Sequence, residues 1–158
     1  RSTLFPYTTL FRSGDQEGFI YTNPIENEDM KSDDFFSAPI MIQDRLEPKI
    51  DIRVTIIGKK LFPVAIKKNN VGIEGDWRLQ KDEVSYDQIE LPFDLMVKIR
   101  KYMEALNLNF GGMDFILKDG KYFFLEVNPT GEWGWIRHQT GLPIDEAICD
   151  YLMRSENV

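Results

Sequence analysis

Two kinds of apolar pattern run along the chain, one with the period of a β-strand and one with the period of a helix. Residues 51–58 alternate apolar and polar side chains, a turn follows at Gly58-Lys59, and residues 61–66 return as a partner strand. Pro92 to Leu106 instead has an apolar stripe at helical spacing, made of Leu95, Ile99, Tyr102, Met103 and Leu106. The pattern therefore predicts a hairpin and a long helix that backs its sheet.

A second helix is predicted from Pro143 to Met153, near the end of the sequence. The same segment contains Cys149, which we interpret as a small core residue. The inward-facing positions are predicted to be Ile144, Ala147, Ile148 and Leu152.

A second hairpin is predicted around Asp119-Gly120, because two apolar runs flank this dipeptide. Each run contains an acid where a core strand normally has none, Asp114 in the first and Glu126 in the second. A two-residue turn puts these acids within one residue of directly opposite, and a one-residue glycine bulge would align them. Period two assigns one face of the second strand to Tyr122, Phe124, Glu126 and Asn128.

The hairpin can therefore present three oxygen ligands on one patch, from Asp114, Glu126 and Asn128. Three hard oxygens suit Mg²⁺, which keeps several waters and shares the phosphates of a substrate. Burying two carboxylates without a cation would cost on the order of several kcal/mol. The alternative is a solvated hairpin face with incidental acids. The sequence thus predicts a magnesium site here.

Composition narrows the class of function. The 158 residues are enough for one domain with a core, and 42% hydrophobic and 28% charged residues are typical of a folded domain. A formal net charge of −7 argues against non-specific nucleic-acid binding, which needs a basic surface. A single cysteine excludes an internal disulfide, and neither a membrane span nor a signal peptide is recognisable. We expect a cytoplasmic protein whose partners include neither nucleic acid nor membrane.

Asp114 followed by Glu126-Val127-Asn128 at the end of a hairpin resembles the metal site of the ATP-grasp ligases. The continuation NPTGEWGWI from Asn128, and TGLPI from Thr140, is narrower. It resembles the MvdC/MvdD group, which matures microviridin-type peptides (graspetides), and its RimK-like relatives. The resemblance implies an α+β fold, namely the C-terminal half of an ATP-grasp domain with an antiparallel sheet backed by helices.

The resemblance also implies a nucleotide site. Residues 39–46, PIMIQDRL, resemble the hinge strand of RimK-like ligases, whose backbone pairs with the adenine edge. An ordinary strand end is the alternative. The residues implied at the adenine are Gln43, Asp44, Arg45 and Leu46.

Two further segments resemble phosphate-binding parts of the family. Asp51-Ile52-Arg53 implies an acid near the ribose hydroxyls and an arginine near phosphate, and its alternative is a surface ion pair. Asp76-Trp77-Arg78 implies that Asp76 holds Arg78 against the reacting phosphoryl group. Arg53 and Arg78 are therefore the implied catalytic residues. The tryptophans Trp77, Trp133 and Trp135 are interpreted as packing residues.

Residues 1–13, RSTLFPYTTLFRS, are predicted not to belong to the natural protein. The tripeptide TLF occurs twice in this stretch, and residues 4–13 back-translate to a common sequencing adapter. A genuine edge strand is the alternative. We expect residues 14–158 to be a partial ATP-grasp domain, with the end of the lid and the C-terminal subdomain, and to be inactive alone. The family's ATP-contacting lysines and N-terminal domain would lie upstream.

The implied function is that of a ligase using ATP and Mg²⁺, or Mn²⁺ in its place. A carboxylate becomes an acyl phosphate, and an amine or hydroxyl then displaces phosphate; in the MvdC/MvdD group both groups are side chains of a ribosomal precursor peptide. Two alternatives stay open, a RimK-like ligase that adds an amino acid to a protein or small acid, and a non-catalytic domain that binds nucleotide or peptide. The expected partners are ATP and a peptide or protein substrate, and a homo-oligomer also stays open.

Overall fold

The computed structural model describes part of the chain, and the first three residues of the predicted hinge strand, 39–41, lie outside it. Side chains are described for residues 24–31, 42–69 and 71–153. The backbone is described for residues 2–4, 10–13, 16–19, 23–31, 42–69 and 71–155.

The described backbone forms ten strands, three α-helices and short 3-10 helices at Asp29–Lys31 and Trp77–Gln80. No helix in these segments is long and apolar enough to cross a membrane. The α-helices are α1 (Phe93–Ala105), α2 (Gly134–Thr140) and α3 (Ile144–Ser155). The strands are β1 (Ser2–Leu4), β2 (Leu10–Ser13), β3 (Gln16–Phe19), β4 (Asn23–Ile25), β5 (Ile42–Asp44), β6 (Ile50–Ile57), β7 (Lys60–Lys67), β8 (Ser85–Gln88), β9 (Phe110–Lys118) and β10 (Lys121–Asn128).

A five-stranded antiparallel sheet in the order β10-β9-β6-β7-β8 is the centre of the fold. The earlier strands form a three-stranded sheet, β4-β1-β5, and the β2-β3 hairpin. The predicted α+β class, with an antiparallel sheet backed by helices, is therefore confirmed. Strands β1 and β2 fall within residues 1–13, and the foreign origin of that segment stays a prediction.

Helices cover both faces of the five-stranded sheet. On the face that we call the α1 face, Val54 of β6 packs in one apolar cluster with Ile99 of α1. On the opposite face, the α2/α3 face, Val64 of β7 packs with Ile136 of α2 and Ile144 of α3. Each of these side chains is almost fully buried, and such burial contributes about 1.5–3 kcal/mol per side chain. The sheet is thereby fixed from both sides.

Both predicted hairpins are present. Strands β6 and β7 are joined at Gly58-Lys59, where Gly58 has a φ of 54°. Strands β9 and β10 are joined at Asp119 and Gly120, with φ of 49° and 72°. Two consecutive positive φ values are what a two-residue hairpin turn requires, and aspartate and glycine tolerate them.

Helix α1 agrees with its prediction in extent but only partly in its buried stripe. It follows Pro92, and Asn107 adopts a left-handed φ of 52° just beyond its end. Ile99 and Met103 are buried, whereas Tyr102 and Leu106 are 42% and 45% exposed. The prediction is wrong for these two, which lie in the last turn of α1 and at its C-cap; Tyr102 packs against Phe124 of β10, the outermost strand of the sheet.

Helix α3 corrects two predictions. Cys149 is exposed, so it is not a core residue. Leu152 is 59% exposed, and Tyr151 instead continues the packed stripe of Ile144 and Ala147. Tyr151 lies against Gly58, where a Cβ would stand 2.7 Å from the tyrosine ring. The packed face of α3 therefore contains Tyr151, which contacts the β6–β7 turn. Cys149 and Leu152 lie on the other side of the helix and face outward.

Candidate active site

Asp114 and Glu126 lie directly opposite each other on β9 and β10. The strand register pairs Glu126 with Asp114, and Asn128 with Gly112. Both carboxylates are partly buried, and β10 is the outermost strand of the sheet. The spacing-based prediction that these two acids meet is therefore confirmed.

The irregularity that aligns the acids is a bulge at Leu125, not a glycine bulge. The register shifts by one residue between Phe124 and Glu126, while the turn itself is regular. Phe124 pairs with Phe115 and Glu126 pairs with Asp114, so Phe124 and Glu126 lie on opposite faces of the sheet. The prediction that Tyr122 and Phe124 share a face with Glu126 is wrong, because the extra residue breaks the period of two.

The bulge separates an apolar half of β10 from a polar half. Phe124 contacts the ring of Tyr102 on α1 at 5.3 Å between centroids, so it lies on the α1 face. Glu126 and Asn128 face the other side, together with Asp114 and Arg53. The carboxylates therefore avoid the apolar cluster under α1.

Arg53 of β6 is paired with Asp114 in the sheet and also through its side chain. Its Nη1 donates to Asp114 Oδ2 at 2.6 Å, and its Nη2 donates to the Glu132 carbonyl at 3.5 Å. Arg53 is only 8% exposed, and its Nε is buried with no hydrogen-bond partner among the described residues. A buried guanidinium beside a carboxylate is costly to leave unpaired, so Arg53 and Asp114 fix each other.

Gly112 makes room for Arg53, and Gly131 lets the loop after β10 approach Gly112. A Cβ on Gly112 would stand 2.5 Å from the Arg53 Cζ. A Cβ on Gly131 would stand 2.5 Å from the backbone nitrogen of Gly112 and 3.1 Å from the Asn128 carbonyl. The loop after β10 therefore lies directly on β9, with no space for a side chain between them.

The pKa of Glu126 is raised above its ordinary value. Burial is the largest cause, and the negative charge of Asp114 is the next, while Arg78 and Arg53 act in the opposite direction. Two carboxylates that face each other away from bulk water favour a shared proton or a cation between them. A divalent cation such as Mg²⁺ fits this donor pair, since it would relieve both the burial and the repulsion.

Asn128 lies on the same face but its amide oxygen is engaged. Asn128 Oδ1 accepts hydrogen bonds from the Thr130 backbone nitrogen at 3.0 Å and from Thr130 Oγ1 at 2.9 Å. The described residues contain no group of three or more histidine, cysteine, aspartate or glutamate side chains arranged to hold a metal. The fold therefore brings together the carboxylates of Asp114 and Glu126, and the amide of Asn128 lies two residues further along β10.

Arg78 is held by its neighbours in the 3-10 helix that follows Asp76. Asp76 Oδ1 accepts from the Arg78 backbone nitrogen at 3.0 Å and from Arg78 Nη1 at 3.3 Å. The Arg78 guanidinium lies over the Trp77 ring, 5.0 Å from its centroid. Burial raises the pKa of both Glu126 and Asp51, and the positive charge of Arg78 offsets part of each rise, which is consistent with a position near these two carboxylates. The structure thus has Asp76 in contact with Arg78, as expected.

Asp51 forms an ion pair with Lys49, a partner that the sequence interpretation missed. The pair lies on β6 and just before it, and each side chain is 13% exposed. Burial raises the pKa of Asp51, and Lys49 offsets part of this effect. The sequence pattern could have predicted this ion pair, because strand alternation puts positions 49, 51 and 53 on one face.

The predicted adenine segment is more exposed than the carboxylate pair. Gln43 and Asp44 are exposed on the short strand β5, and Arg45 forms an ion pair with Glu47. Glu47 Oε1 accepts from the backbone nitrogen of Gly75 at 2.5 Å. This contact joins the segment to the loop that leads into Asp76.

We expect Asp76→Ala to lower the free energy of unfolding by about 1 kcal/mol, because it removes the cap of the 3-10 helix. Asp76→Asn keeps an oxygen at the capping position and should cost less. Urea unfolding of the 158-residue chain measures both. Equal destabilisation by the two variants would contradict a capping role.

Comparison with solved structures relates this arrangement to known proteins. A Chryseobacterium gregarium RiPP-associated ATP-grasp ligase, solved with ADP and a leader and core peptide, matches over 98% of this chain with a TM-score of 0.82 and 22% identity. Macrocyclase MdnB from Microcystis aeruginosa MRC matches over 96% with a TM-score of 0.68 and 32% identity. ATP-grasp ligase PsnB, complexed with a minimal precursor, Mg and ADP, matches over 97% with a TM-score of 0.73 and 22% identity.

This chain covers 49%, 45% and 46% of those three proteins, so it spans about half their length. A scan against family models found no match, and neither did a search of curated proteins.

The fold is that of the ATP-grasp ligases, a class of enzymes. Within that class, the three structures named above are a RiPP-associated ligase, a macrocyclase and a ligase solved with a minimal precursor. The predicted resemblance to ATP-grasp ligases of the microviridin type is therefore confirmed.

Proposed function

We propose that this chain is part of an ATP- and Mg²⁺-dependent ligase that joins a carboxylate to an amine or alcohol in a ribosomal precursor peptide. The observation that supports this most directly is the facing pair of Asp114 and Glu126 beside Arg53 and Arg78. The similarity to macrocyclase MdnC from Microcystis aeruginosa MRC, which was solved with precursor peptide MdnA and is 26% identical, supports the peptide substrate. A reducing cytoplasm suits the single cysteine.

Asp114 and Glu126 would hold the metal, Mg²⁺ or Mn²⁺, in this proposal. Asn128 would be the third ligand once its amide oxygen is released from Thr130. When bound, the metal supplies positive charge against the β- and γ-phosphates of ATP. The two carboxylates would hold it at the sheet edge, and Arg53 would keep Asp114 oriented.

The two arginines would divide the catalytic work. Arg53 is buried and its guanidinium already forms an ion pair with Asp114, so it acts mainly by orienting that carboxylate. Arg78 has a side chain that is 33% exposed, with a 3.3 Å ion pair to Asp76 and the Trp77 ring beneath its guanidinium, so the guanidinium remains accessible to a phosphate. Arg78 therefore stabilises the charge of the γ-phosphoryl group as it passes to the substrate carboxylate.

The reaction balances without a covalent enzyme intermediate. A substrate carboxylate attacks the γ-phosphorus of ATP and displaces ADP, which gives an acyl phosphate. An amine or hydroxyl of the peptide then attacks the acyl carbon, loses its proton and displaces phosphate. Each amide or ester bond that is formed lowers the mass of the peptide by the mass of one water molecule.

The nucleotide would lie against residues on the same side as Arg78. Asp51 would accept hydrogen bonds from the ribose hydroxyls, with Lys49 maintaining its charge. The adenine would lie along the backbone of the predicted hinge residues Gln43, Asp44, Arg45 and Leu46.

The test is ATP-dependent ADP formation by the gene product that contains residues 14–158, given Mg²⁺ and a candidate precursor peptide. We expect ADP in proportion to peptide cross-links, detected as water loss by mass spectrometry. The isolated 14–158 segment should give none, because the 158-residue chain spans about half the length of the ATP-grasp ligases that it matches. ADP formation without any change in peptide mass would contradict the peptide substrate and favour the RimK-like alternative.

Metal affinity is expected to rise with pH. Protons and metal compete for Glu126. Because the pKa of Glu126 is raised, protons compete at pH values above the ordinary glutamate pKa of about 4.3. Titration of the 158-residue chain with Mn²⁺, followed by electron paramagnetic resonance, should give tighter binding at about pH 7 than at about pH 5. The same affinity at both pH values would contradict Glu126 as a ligand.

A further inference from the structure

Three aromatic rings form a cluster beside the candidate active site. The ring of Trp77 lies 5.3 Å from that of Trp135 and 6.2 Å from that of Tyr86, and Tyr86 lies 5.7 Å from Trp135. All three are partly buried, and Tyr86 and Trp135 also pack against the apolar cluster on the α2/α3 face. Such ring pairs contribute about 0.5–1.5 kcal/mol beyond the area that they bury.

The cluster joins two segments that are far apart in sequence. Trp77 stands between Asp76 and Arg78 in the 3-10 helix. Trp135 lies in the first turn of α2, three residues after Glu132, whose carbonyl accepts from Arg53. The Trp77–Trp135 contact is therefore a direct link between the segment of Arg78 and the loop that follows the two carboxylates.

Arg78 depends on such support because burial alone does not fix it. Its side chain is 33% exposed, and its contacts are the 3.3 Å ion pair with Asp76 and the face of Trp77. The indole face attracts the guanidinium only in the orientation that Trp77 has. Trp135 packs against that indole at an interplanar angle of 35° and restricts its rotation.

We infer that Trp135 is a positioning residue that acts through Trp77 to hold the Arg78 guanidinium towards the phosphates of ATP. The inference rests on the proposed function, since it takes Arg78 as a phosphate contact. Leucine at position 135 would remove the ring that restricts Trp77, and Arg78 would then lose the surface on which it lies.

The test is a double-mutant cycle between Trp135→Leu and Arg78→Ala in the gene product that contains residues 14–158. Calorimetric titration gives the affinities for Mg·ATP and for adenosine, which lacks phosphates. We expect Trp135→Leu to weaken ATP binding by about tenfold and leave adenosine binding unchanged. In the Arg78→Ala background, the same change should have no further effect on ATP.

Trp133→Leu is the matched control, because it removes an indole that packs against the same apolar cluster and is separated from Trp135 by one residue. It should leave the ratio of ATP to adenosine affinity unchanged. Trp135→Phe keeps an aromatic ring if the leucine variant does not fold, and it should show a smaller loss of the same phosphate-selective kind.

Two results would overturn the inference while leaving the proposed function intact. One is an equal loss of ATP and adenosine affinity in the Trp135 variants, which indicates a general structural role. The other is a full additional loss in the Arg78→Ala background. If Arg78→Ala alone left ATP affinity unchanged, the phosphate role of Arg78 would itself be wrong, and the inference would fall with it.

Discussion

Glu126→Gln is expected to lower ligase turnover by at least about 100-fold in the gene product that contains this chain, with a parallel loss of Mn²⁺ affinity. Glutamine has nearly the same shape and can keep the place of Glu126 opposite Asp114. It lacks the negative charge that a divalent cation requires. Initial rates of ADP formation and Mn²⁺ titration measure the two effects.

The same variant is expected to be more stable than the parent, and this separates loss of chemistry from loss of fold. The folded state raises the pKa of Glu126, so protonation is favoured in the fold. That contribution to stability is fully present below the ordinary glutamate value of about 4.3, and it is lost as pH rises through the raised pKa. Neutral glutamine avoids the loss, so its advantage should appear at neutral pH and shrink in acid.

Glu104→Gln is the control for this prediction. Glu104 is an exposed acid on α1, a helix that covers the opposite face of the sheet. It should change neither turnover nor Mn²⁺ affinity. Unchanged turnover in Glu126→Gln would show that the metal assignment is wrong.

Gly131→Ala is expected to destabilise the chain by about 1–3 kcal/mol, as overpacking of a tight contact does. The added Cβ would stand 2.5 Å from the Gly112 nitrogen, 2.9 Å from its Cα and 3.1 Å from the Asn128 carbonyl. All three are backbone atoms, so the loop after β10 must move away from β9. Urea unfolding measures the cost, and a loss of Mn²⁺ affinity should accompany it because Asn128 moves with the loop.

Gly134→Ala is the matched control. A Cβ there meets nothing within 4 Å, its φ lies outside the left-handed region, and the residue begins α2. This substitution should be neutral or slightly stabilising, since alanine favours a helix over glycine. Equal destabilisation by both variants would contradict a specific contact between Gly131 and Gly112.

The sequence predicted the parts of the site that depend on local pairing. A two-residue turn at Asp119-Gly120 limits which residues of β9 and β10 can face each other, so the spacing alone was enough to pair Asp114 with Glu126. Asp76 and Arg78 are close for the same reason, since only one residue separates them. The direction of Arg53 follows from alternation along β6.

The tertiary structure decided features that the periodicity of the sequence cannot predict. A bulge can absorb one residue at any point of an edge strand, and it stands at Leu125 because the phenyl ring of Phe124 packs against α1 while Glu126 must avoid that apolar cluster. The engagement of Asn128 with Thr130, the contact between Gly112 and Gly131, and the outward turn of Cys149 also depend on which surfaces meet.

By itself, then, the sequence determined the two hairpins, helices α1 and α3 and the meeting of two carboxylates, because these follow from periodicity and a turn of fixed length. The family resemblance followed from the motif residues. Only the tertiary structure decided how the site is supported, with Lys49 beside Asp51, Gly112 beneath Arg53, Gly131 against Gly112 and Trp135 beside Trp77. Those contacts join residues distant in sequence, and their distances depend on how the helices pack against both faces of the sheet.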